Sequence, residues 1–193
     1  MTSFYSKEEL AALGLKAFGR DVRISRKASL YGAEHISLGD HVRIDDFCLL
    51  SGHITLGSYI HLAAGVYLFA GEAGIEIEDY STLSSRCAVY ALTDDYSGAA
   101  MTNPTVPERY THVTEQPVSI GRHVIVGTGS TILPGVTVGE GCAVGAMSLL
   151  SRSAEPWGVY WGTPARRQKE RSRALLALCE EWNAEGGDDG CRT

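Results

Sequence analysis

The sequence of 193 residues predicts an all-β solenoid, in which short strands wind around one axis and stack on one another. A period of six in the aliphatic residues fits neither the 3.6-residue turn of an α-helix nor the alternation of a single strand, so it indicates a larger repeating unit. The residue two places before each aliphatic is small or β-branched almost throughout, so each hexad sends two side chains inward. Fifteen aliphatic residues carry this period in three runs: Leu38, Ile44, Leu50, Leu56, Leu62 and Leu68, then Ile77, Leu83 and Val89, then Ile120, Val126, Ile132, Val138, Val144 and Leu150.

Compact residues often follow the aliphatic position, as a tight corner between short strands requires. Gly39, Ser51, Gly57, Ala63 and Gly121 are examples. Three hexads therefore make one triangular coil. Stacked coils pair each strand with those above and below it at a spacing of about 4.8 Å.

The clearest stretch of the repeat, at 132–150, reads ILPGVTVGEGCAVGAMSLL and is followed at 161–166 by WGTPAR. With these motifs the chain resembles the hexapeptide-repeat acyltransferases over roughly residues 20–168. The resemblance is strongest to the branch of galactoside, xenobiotic and nucleotide-sugar acetyltransferases. It implies a left-handed parallel β-helix, a homotrimer, and acetyl-CoA as an acyl donor bound between two subunits.

The predicted β-helix occupies residues 21–165 and is interrupted twice. A three-residue insertion lies near Gly71–Gly74, and a 28-residue segment at 90–117 contains no hexads. Because long loops in compact domains are uncommon unless they are functional or disordered, the second segment is expected to be an extruded loop that carries function.

The ends of the chain carry different patterns. Residues 1–20 are predicted to hold a short helix, because Ser6 and Glu9 form a capping box. Residues 166–185 have apolar residues at helical spacing and are predicted to form a helix that caps the open end of the solenoid. Residues 186–193 are polar and glycine-rich and are expected to be a mobile tail.

Charge and hydropathy argue against two kinds of partner. The formal net charge is −6 and the pI about 5.5, whereas nucleic-acid binding needs a basic face. No apolar run approaches the roughly 18 residues of a membrane-spanning helix. The sequence therefore predicts no nucleic-acid binding and no membrane insertion, and the chain is expected to be cytoplasmic.

The position of the general base distinguishes this chain from the family it resembles. In that family the extruded loop contains the motif Thr-Gly-His-Pro, whose histidine is catalytic. Residues 93–96 here read TDDY, so Asp95 occupies the place of the catalytic histidine. A hydroxyl acceptor needs a base with a pKa near neutrality, whereas an amine needs only to lose its ammonium proton, which a carboxylate can accept. The change therefore favours N-acetylation. Three interpretations stay open: Asp94 and Asp95 as catalytic groups, the same pair as a solvated turn, and an imidazole from His112 or from a neighbouring subunit's His61.

The coenzyme is expected near the C-terminus, where five of the 17 basic residues lie between Arg166 and Arg173. Arginine suits the pyrophosphate and 3′-phosphate of coenzyme A through its forked donors. A solvated basic face or a salt-bridged trimer contact is the alternative for this cluster. The resemblance places coenzyme contacts at Gly127, Thr128, Gly145, Ala146, Ser151, Arg152 and Arg166, and Arg167 lies beside them.

Aromatic residues are the candidates for acceptor binding. Tyr67, Tyr90 and Tyr96 can stack on a sugar or a base, although shielding of the loop is an alternative role. Asn103 adds a polar group on the loop. We hypothesise an acetyl-CoA-dependent acetyltransferase that N-acetylates a nucleotide-linked deoxyamino sugar for O-antigen-type polysaccharide biosynthesis.

Three other functions are compatible with such a fold. A sugar O-acetyltransferase belongs to the same enzyme class. A hydratase of the carbonic anhydrase type needs three metal ligands that converge on one ion. His35 and His53 stand one coil apart on a flat outer side, and the other four histidines show no close pair of the expected kind, so no metal is predicted. A non-catalytic scaffold leaves the arginine cluster and the 28-residue loop without a role.

Overall fold

A stack of triangular coils forms the body of the protein in the computed structural model, which describes residues 3–185. The predicted mobile tail at 186–193 lies outside the described residues. Within them, the helices are α1 (Lys7–Ala12) and α2 (Ala174–Ala184), with 3₁₀ turns at Ala33–His35 and Glu108–Tyr110.

Short strands make up the rest of the regular structure. In chain order they are β1 (Ala17–Phe18), β2 (Arg23–Ile24), β3 (Ser29–Tyr31), β4 (Ile36–Leu38), β5 (Arg43–Ile44), β6 (Leu49–Leu56), β7 (His61–Leu62), β8 (Tyr67–Ile77), β9 (Thr82–Leu83), β10 (Ala88–Tyr90), β11 (Leu92–Asp94), β12 (Val113–Glu115), β13 (Val118–Ile120), β14 (Ile125–Val126), β15 (Thr131–Ile132), β16 (Thr137–Val138), β17 (Ala143–Val144), β18 (Leu149–Leu150), β19 (Gly158–Gly162) and β20 (Ala165–Glu170).

These strands form three parallel faces. Face 1 contains β2, β5, β7, β9, β14, β17 and β19, with β20 antiparallel at its edge. Face 2 contains β3, β10, β15, β18 and the first halves of β6 and β8, and face 3 contains β1, β4, β13, β16 and the second halves of β6 and β8. Equivalent hexad positions stack: Leu50 pairs with Leu68, and Leu68 with Val89.

The core consists of the side chains that the repeat directs inward. All fifteen aliphatic residues of the period are buried, and the largest exposed fraction among them is 5%. Serines at the second inward position keep their hydrogen bonds, since the Ser81 hydroxyl donates to the carbonyl of Gly121 at 2.8 Å and that of Ser148 to the carbonyl of Gly145 at 2.7 Å. The prediction of two inward side chains per hexad is confirmed.

The first coil is closed by α1. The Ser6 hydroxyl accepts a hydrogen bond from the Glu9 amide at 3.3 Å, and the Glu9 carboxylate accepts one from the Ser6 amide at 2.7 Å, so the predicted capping box is present. Leu10 is buried and belongs to the hydrophobic core of the solenoid. The N-terminal segment 1–20 holds this short helix and also β1, which already belongs to the first coil.

Both interruptions of the repeat leave the solenoid at the corner between faces 2 and 3. The insertion Gly71–Gly74 lies within β8, where the register with β6 shifts. The 28-residue segment leaves after β10 and returns before β13. Its two ends form an antiparallel ribbon of β11 and β12, which the sequence did not predict.

The C-terminal segment differs from the single helix predicted for residues 166–185. Ala165–Glu170 is β20, which pairs antiparallel with β19, and α2 begins only at Ala174. Pairing with β20 occupies the edge of the last coil, where backbone groups would otherwise lack partners. The apolar spacing was correct for α2 but did not show where that helix begins.

The position of α2 also differs from the predicted end cap. Trp182 packs edge-on against Tyr59 and Tyr80, with ring centroids 5.1 and 6.3 Å apart, and these tyrosines belong to middle coils at the corner between faces 3 and 1. The guanidinium of Arg171 donates to three carbonyls of that corner, at 2.7, 2.9 and 3.2 Å, those of His123, Gly141 and Cys142. The helix therefore lies along the side of the solenoid.

Candidate active site

The extruded loop and face 2 enclose a cavity of about 720 Å³. Three residues predicted from the sequence, Tyr90, Asp94 and Tyr96, line it together. Phe69 stacks on Tyr90 with ring centroids 5.0 Å apart and supplies an aromatic wall. The full lining consists of Ser51, Phe69, Gly71, Tyr90, Leu92, Thr93, Asp94, Tyr96, Pro104, Val113, Thr131, Leu133 and Pro134.

Tyr67, the third tyrosine predicted to bind the acceptor, neighbours the cavity rather than lining it. Its ring lies 6.3 Å from that of Phe69, and 39% of the residue is exposed. Asn103 has a φ of 76°, and its side-chain oxygen accepts hydrogen bonds from the amide and hydroxyl of Thr105. This residue therefore shapes the tip of the loop.

Asp94 and Asp95 have different environments despite their adjacency. The Asp95 carboxylate accepts hydrogen bonds from the amide and hydroxyl of Ser97 at 2.9 and 3.0 Å and from the amide of Ala100 at 3.0 Å. These bonds, led by that from the Ser97 amide, lower the pKa of Asp95 to about 2. Asp95 thus closes its own turn, whereas Asp94 ends β11 and lines the cavity.

The two candidate histidines lie elsewhere in the chain. His61 is on face 1, where its Nε2 is 2.8 Å from a carboxylate oxygen of Asp45. Burial would raise the pKa of Asp45, but hydrogen bonds from His61 and Arg43 outweigh that effect and lower it. His112 lines a separate groove of the loop with Glu108 and Arg109. Neither histidine lines the cavity that contains Asp94.

A column of small residues follows the corner between faces 1 and 2. Ser84, Gly127 and Gly145 occupy equivalent places in successive coils, because their amides donate to the carbonyls of the next coil at 2.9, 2.8 and 2.7 Å. A Cβ atom at Gly127 would lie 2.5 Å from the backbone nitrogen of Ala146. The absence of a side chain at Gly127 is therefore required by the close approach of the next coil, and the column as a whole carries only small side chains.

Basic residues gather where this side of the solenoid ends. Arg152, Arg166 and Arg167 line one cavity of about 240 Å³, together with Tyr160 and Ala165. Arg152 comes two residues after β18, with Ser151 between, and both Arg166 and Arg167 lie on β20. Strand pairing, rather than the predicted helix, therefore places these three residues at one cavity, where the Arg167 guanidinium also forms an ion pair with Glu170.

Metal-binding and membrane-spanning features are both missing from residues 3–185. No group of three or more His, Cys, Asp or Glu residues there could hold a metal ion. Over the same residues, no helix has both the length and the apolar character needed to cross a membrane.

Comparisons with known proteins agree with this architecture. Residues 117–152 match the family model for the bacterial transferase hexapeptide (six repeats). The dTDP-4-amino-4,6-dideoxy-D-glucose acyltransferase of Escherichia coli is 42% identical over 178 residues, which cover 91% of this chain and 93% of that protein. This chain belongs to the hexapeptide-repeat acyltransferases. The predicted family, enzyme class and left-handed parallel β-helix are thereby confirmed.

Solved structures of AntD, an N-acyltransferase from Bacillus cereus, share this acyltransferase fold throughout. The complex of AntD with dTDP and 3-hydroxybutyryl-CoA is 47% identical, with a TM-score of 0.94 over 97% of this chain and 100% of that chain. Its S84A variant, in complex with dTDP-4-amino-4,6-dideoxyglucose and coenzyme A, is 48% identical, with a TM-score of 0.94 over 96% and 100%. AntD has also been solved as a D94N variant.

Sequence reasoning missed several residues of the candidate site. Phe69 is an aromatic residue near the insertion, so its spacing from Tyr67 could have indicated a shared surface. Ser84 follows Leu83 at a corner position, where a serine is indistinguishable from any other compact residue. Leu133 and Pro134 lie in a regular hexad, and only the path of the loop brings them to the cavity.

Proposed function

We propose that this enzyme transfers an acyl group from a coenzyme A thioester to the 4-amino group of dTDP-4-amino-4,6-dideoxyglucose or a closely related dTDP-amino sugar. The observation that carries this proposal is the near full-length similarity to two acyltransferases of such substrates, together with a cavity that holds an aspartate beside aromatic residues. Hydroxyl acylation is the second candidate, and the absence of an imidazole from that cavity among the described residues disfavours it.

Asp94 is the residue that we assign as proton acceptor. In the reaction the amine nitrogen bonds to the thioester carbonyl carbon, the carbon–sulfur bond breaks, and the amine proton leaves through the carboxylate to the departing thiolate or to solvent. Asp95 is unsuited to this role, because its oxygens already accept three hydrogen bonds and its pKa is about 2. This chain also has an aspartate and a serine at 94 and 84, the numbers substituted in AntD, which supports roles for both residues.

The donor is proposed to bind along the small-residue column and end at the arginines. The family resemblance places the pantetheine arm at Gly127, Thr128, Gly145 and Ala146, where this corner of the solenoid carries only small side chains. Ser84 is the hydroxyl of that column nearest in sequence to the loop. Ser151, Arg152, Arg166 and Arg167 would hold the phosphates, since guanidiniums bind phosphate oxygens in a bidentate manner.

The acceptor sugar nucleotide is proposed to lie in the loop cavity. Phe69 and Tyr90 provide faces for a sugar or a base, Tyr67 lies beside Phe69 just outside the cavity, and Tyr96 lies at the mouth with 93% exposure. A side chain so exposed contributes little unless something packs over it. We therefore propose a homotrimer in which a neighbouring subunit closes the site, and in which His61 or His112 can approach the site only across that interface.

Nucleotide sugars and coenzyme A are cytoplasmic metabolites, so we also propose a cytoplasmic location and a role in surface-polysaccharide biosynthesis.

The decisive experiment compares two acceptors that differ in one functional group. The purified protein is incubated with acetyl-CoA or 3-hydroxybutyryl-CoA and either dTDP-4-amino-4,6-dideoxyglucose or dTDP-6-deoxyglucose, which has a hydroxyl at the same carbon. We expect thiol release with the amine and, relative to it, at least about a hundredfold less with the hydroxyl. Turnover of the hydroxyl compound alone would instead assign O-acylation.

A further inference from the structure

Glu115 joins the two interruptions of the repeat. It is the last residue of β12 in the extruded loop, yet its carboxylate contacts the insertion one coil away. One oxygen accepts hydrogen bonds from the backbone amides of Glu72 at 3.0 Å and Ala73 at 3.1 Å. Bonds of this kind to an ionised acceptor are roughly twice as strong as neutral ones.

The insertion is shaped to receive this carboxylate. Gly71 has a φ of 54°, which turns the following amides toward one point, and a Cβ at Gly71 would lie 2.8 Å from a Glu115 oxygen. The side chain of Glu72 points away from this contact, with its carboxylate 3.3 Å from Nε2 of His53. Two consecutive amides thus form a concave anion site occupied by Glu115.

The ribbon that carries Asp94 needs such an attachment. β11 and β12 have three residues each, and an isolated two-stranded hairpin is marginally stable in water. Glu115 pairs with Leu92, and Asp94 pairs with Val113 two residues further along the ribbon. Two residues of a strand span about 7 Å, so Asp94 lies roughly that far along the ribbon from Glu115. A small rotation of the ribbon about Glu115 therefore moves the Asp94 carboxylate relative to the cavity.

We propose that Glu115 is a positioning residue, which holds the ribbon against the insertion so that Asp94 faces the bound amino sugar. This inference rests on the proposed function for its catalytic readout and deepens it by naming what orients the proton acceptor. Glu115 itself does not line the cavity proposed for the acceptor. In this proposal the Gly71–Gly74 insertion, which interrupts an otherwise regular stack, provides the backbone amides that bind the loop through Glu115.

Three variants separate the anchor from the negative charge. Glu115→Leu removes the acceptor at similar size, Glu115→Gln keeps a neutral acceptor of the same reach, and Glu72→Gln removes a carboxylate from the same place without removing either amide. We expect Glu115→Leu to lower kcat about ten- to hundredfold, because misplacement by about 1 Å costs that much, with an unchanged Kd for coenzyme A. Glu115→Gln should recover most of that loss, and Glu72→Gln should match the wild type.

A second readout does not depend on turnover. Arg109 is the one Lys or Arg between Arg86 and Arg122, so trypsin reports on this loop by cleavage after Arg109. Glu115→Leu should speed that cleavage several-fold, because a released ribbon exposes the segment more often. Glu115→Gln and Glu72→Gln should cleave at the wild-type rate.

The outcomes distinguish this inference from the proposed function. A wild type that acylates no dTDP-amino sugar, but shows the expected trypsin pattern, overturns the function and leaves the anchor standing. Wild-type kcat or wild-type cleavage in Glu115→Leu overturns the anchor. If Glu115→Leu fails to fold, Glu115→Asp replaces it, because aspartate keeps the charge but is too short to reach the two amides. If the anchor requires that reach, kcat should be lower in Glu115→Asp than in Glu115→Gln. A higher kcat in Glu115→Asp would show that only the charge matters and would overturn the anchor.

Discussion

The stacked coils and the corner between faces 2 and 3 are built on the same hexads but meet opposite demands. In the stack all fifteen aliphatic residues of the period are buried, and Leu50, Leu68 and Val89 align at 0% exposure. At the corner, the insertion and the extruded loop break the register and expose residues such as Tyr96, at 93%. Regularity therefore supplies stability in this molecule, while departures from it supply the chemistry.

The two regions also satisfy their backbone differently. In the stack most strand amides donate to backbone carbonyls of a neighbouring coil, so their hydrogen bonding follows from the repeat. In the loop, where the repeat is absent, the Asp95 carboxylate accepts from two loop amides, and the Glu115 carboxylate accepts from two amides of the insertion. Carboxylates in the loop therefore have structural as well as catalytic roles. Substitutions in the loop should change catalysis, whereas substitutions in the stack should change stability.

The greatest effect on catalysis is expected from Asp94→Asn. Removing the proton acceptor should lower kcat by about a hundredfold or more, toward the low end of general-base effects because an amine needs less help than a hydroxyl. The midpoint of thermal unfolding should stay within a few degrees of the wild type. Steady-state kinetics and a thermal melt measure both.

Three control variants accompany this test. Asp95→Asn should cost less in kcat than Asp94→Asn, since it loosens a turn without removing the acceptor. His61→Gln and His112→Gln should remain near the wild type. A hundredfold loss in either histidine variant, with Asp94→Asn near the wild type, would assign the base to that histidine.

The converse change is Leu68→Ala in the stack. Because Leu68 is fully buried between equivalent residues, its truncation should lower the free energy of unfolding by about 2–5 kcal/mol. At temperatures where the variant is folded, its KM values for acceptor and donor should equal those of the wild type. Urea denaturation checks the first expectation, and a loss below about 1 kcal/mol would contradict it.

Gly127→Ala tests whether the stack itself carries the donor site. The added methyl meets the Ala146 backbone, so overpacking of about 1–3 kcal/mol and weaker coenzyme A binding are both expected. Gly121→Ala is the matched control, because its Cβ would lie 2.8 Å from the Glu140 amide at a different corner. Calorimetry should show a raised Kd for coenzyme A in the first variant and not in the second.

A more modest effect is expected at the arginine cluster. Arg166→Ala should weaken coenzyme A by about tenfold, the value of one charge-assisted contact, and dephospho-coenzyme A by less if the side chain meets the 3′-phosphate. Arg173→Ala is the control, since Arg173 lies over Trp157 at 5.3 Å outside that cavity. Equal losses for both ligands would place Arg166 at the pyrophosphate.

The smallest effect is expected for the pH dependence of stability that arises from His123 in the stack. Burial, and next the charge of Arg122, lower the pKa of His123, which stacks on Tyr80 at 5.1 Å. Its pKa in the folded state is then below the ordinary value of about 6.5. The unfolded chain binds more protons between these two values, so stability is full above about pH 6.5 and declines as the pH falls through that window.

His123→Asn isolates this contribution, because asparagine tolerates the φ of 58° at that position. Urea denaturation on either side of about pH 6.5 should show a larger loss of stability on acidification in the wild type than in the variant. Equal losses would assign the pH dependence to groups other than His123.

Much of the stack was predictable because its information is local in sequence. A side chain six residues from the next aliphatic faces the same axis in every coil, so Leu38 to Leu150 could be assigned to the core without coordinates. The capping box at Ser6 and Glu9 is likewise contained within four residues. Periodicity also marked the 90–117 loop by its absence, and the motifs at 132–166 indicated the family.

The rest depended on which surfaces the finished stack leaves open. β20 pairs with the last strand because that edge is free, and Trp182 docks on Tyr59 and Tyr80 because coils far apart in sequence align those rings. The choice between Asp94 and Asp95 is of the same kind. Adjacent residues of one type carry no sequence signal that separates them, and only the turn closed by Ser97 and Ala100 withdraws Asp95 from the site. Local patterns in the chain thus specified the repeat, the core and the family, while the partners of the inserted segments were set by three-dimensional packing, since those partners lie in other coils.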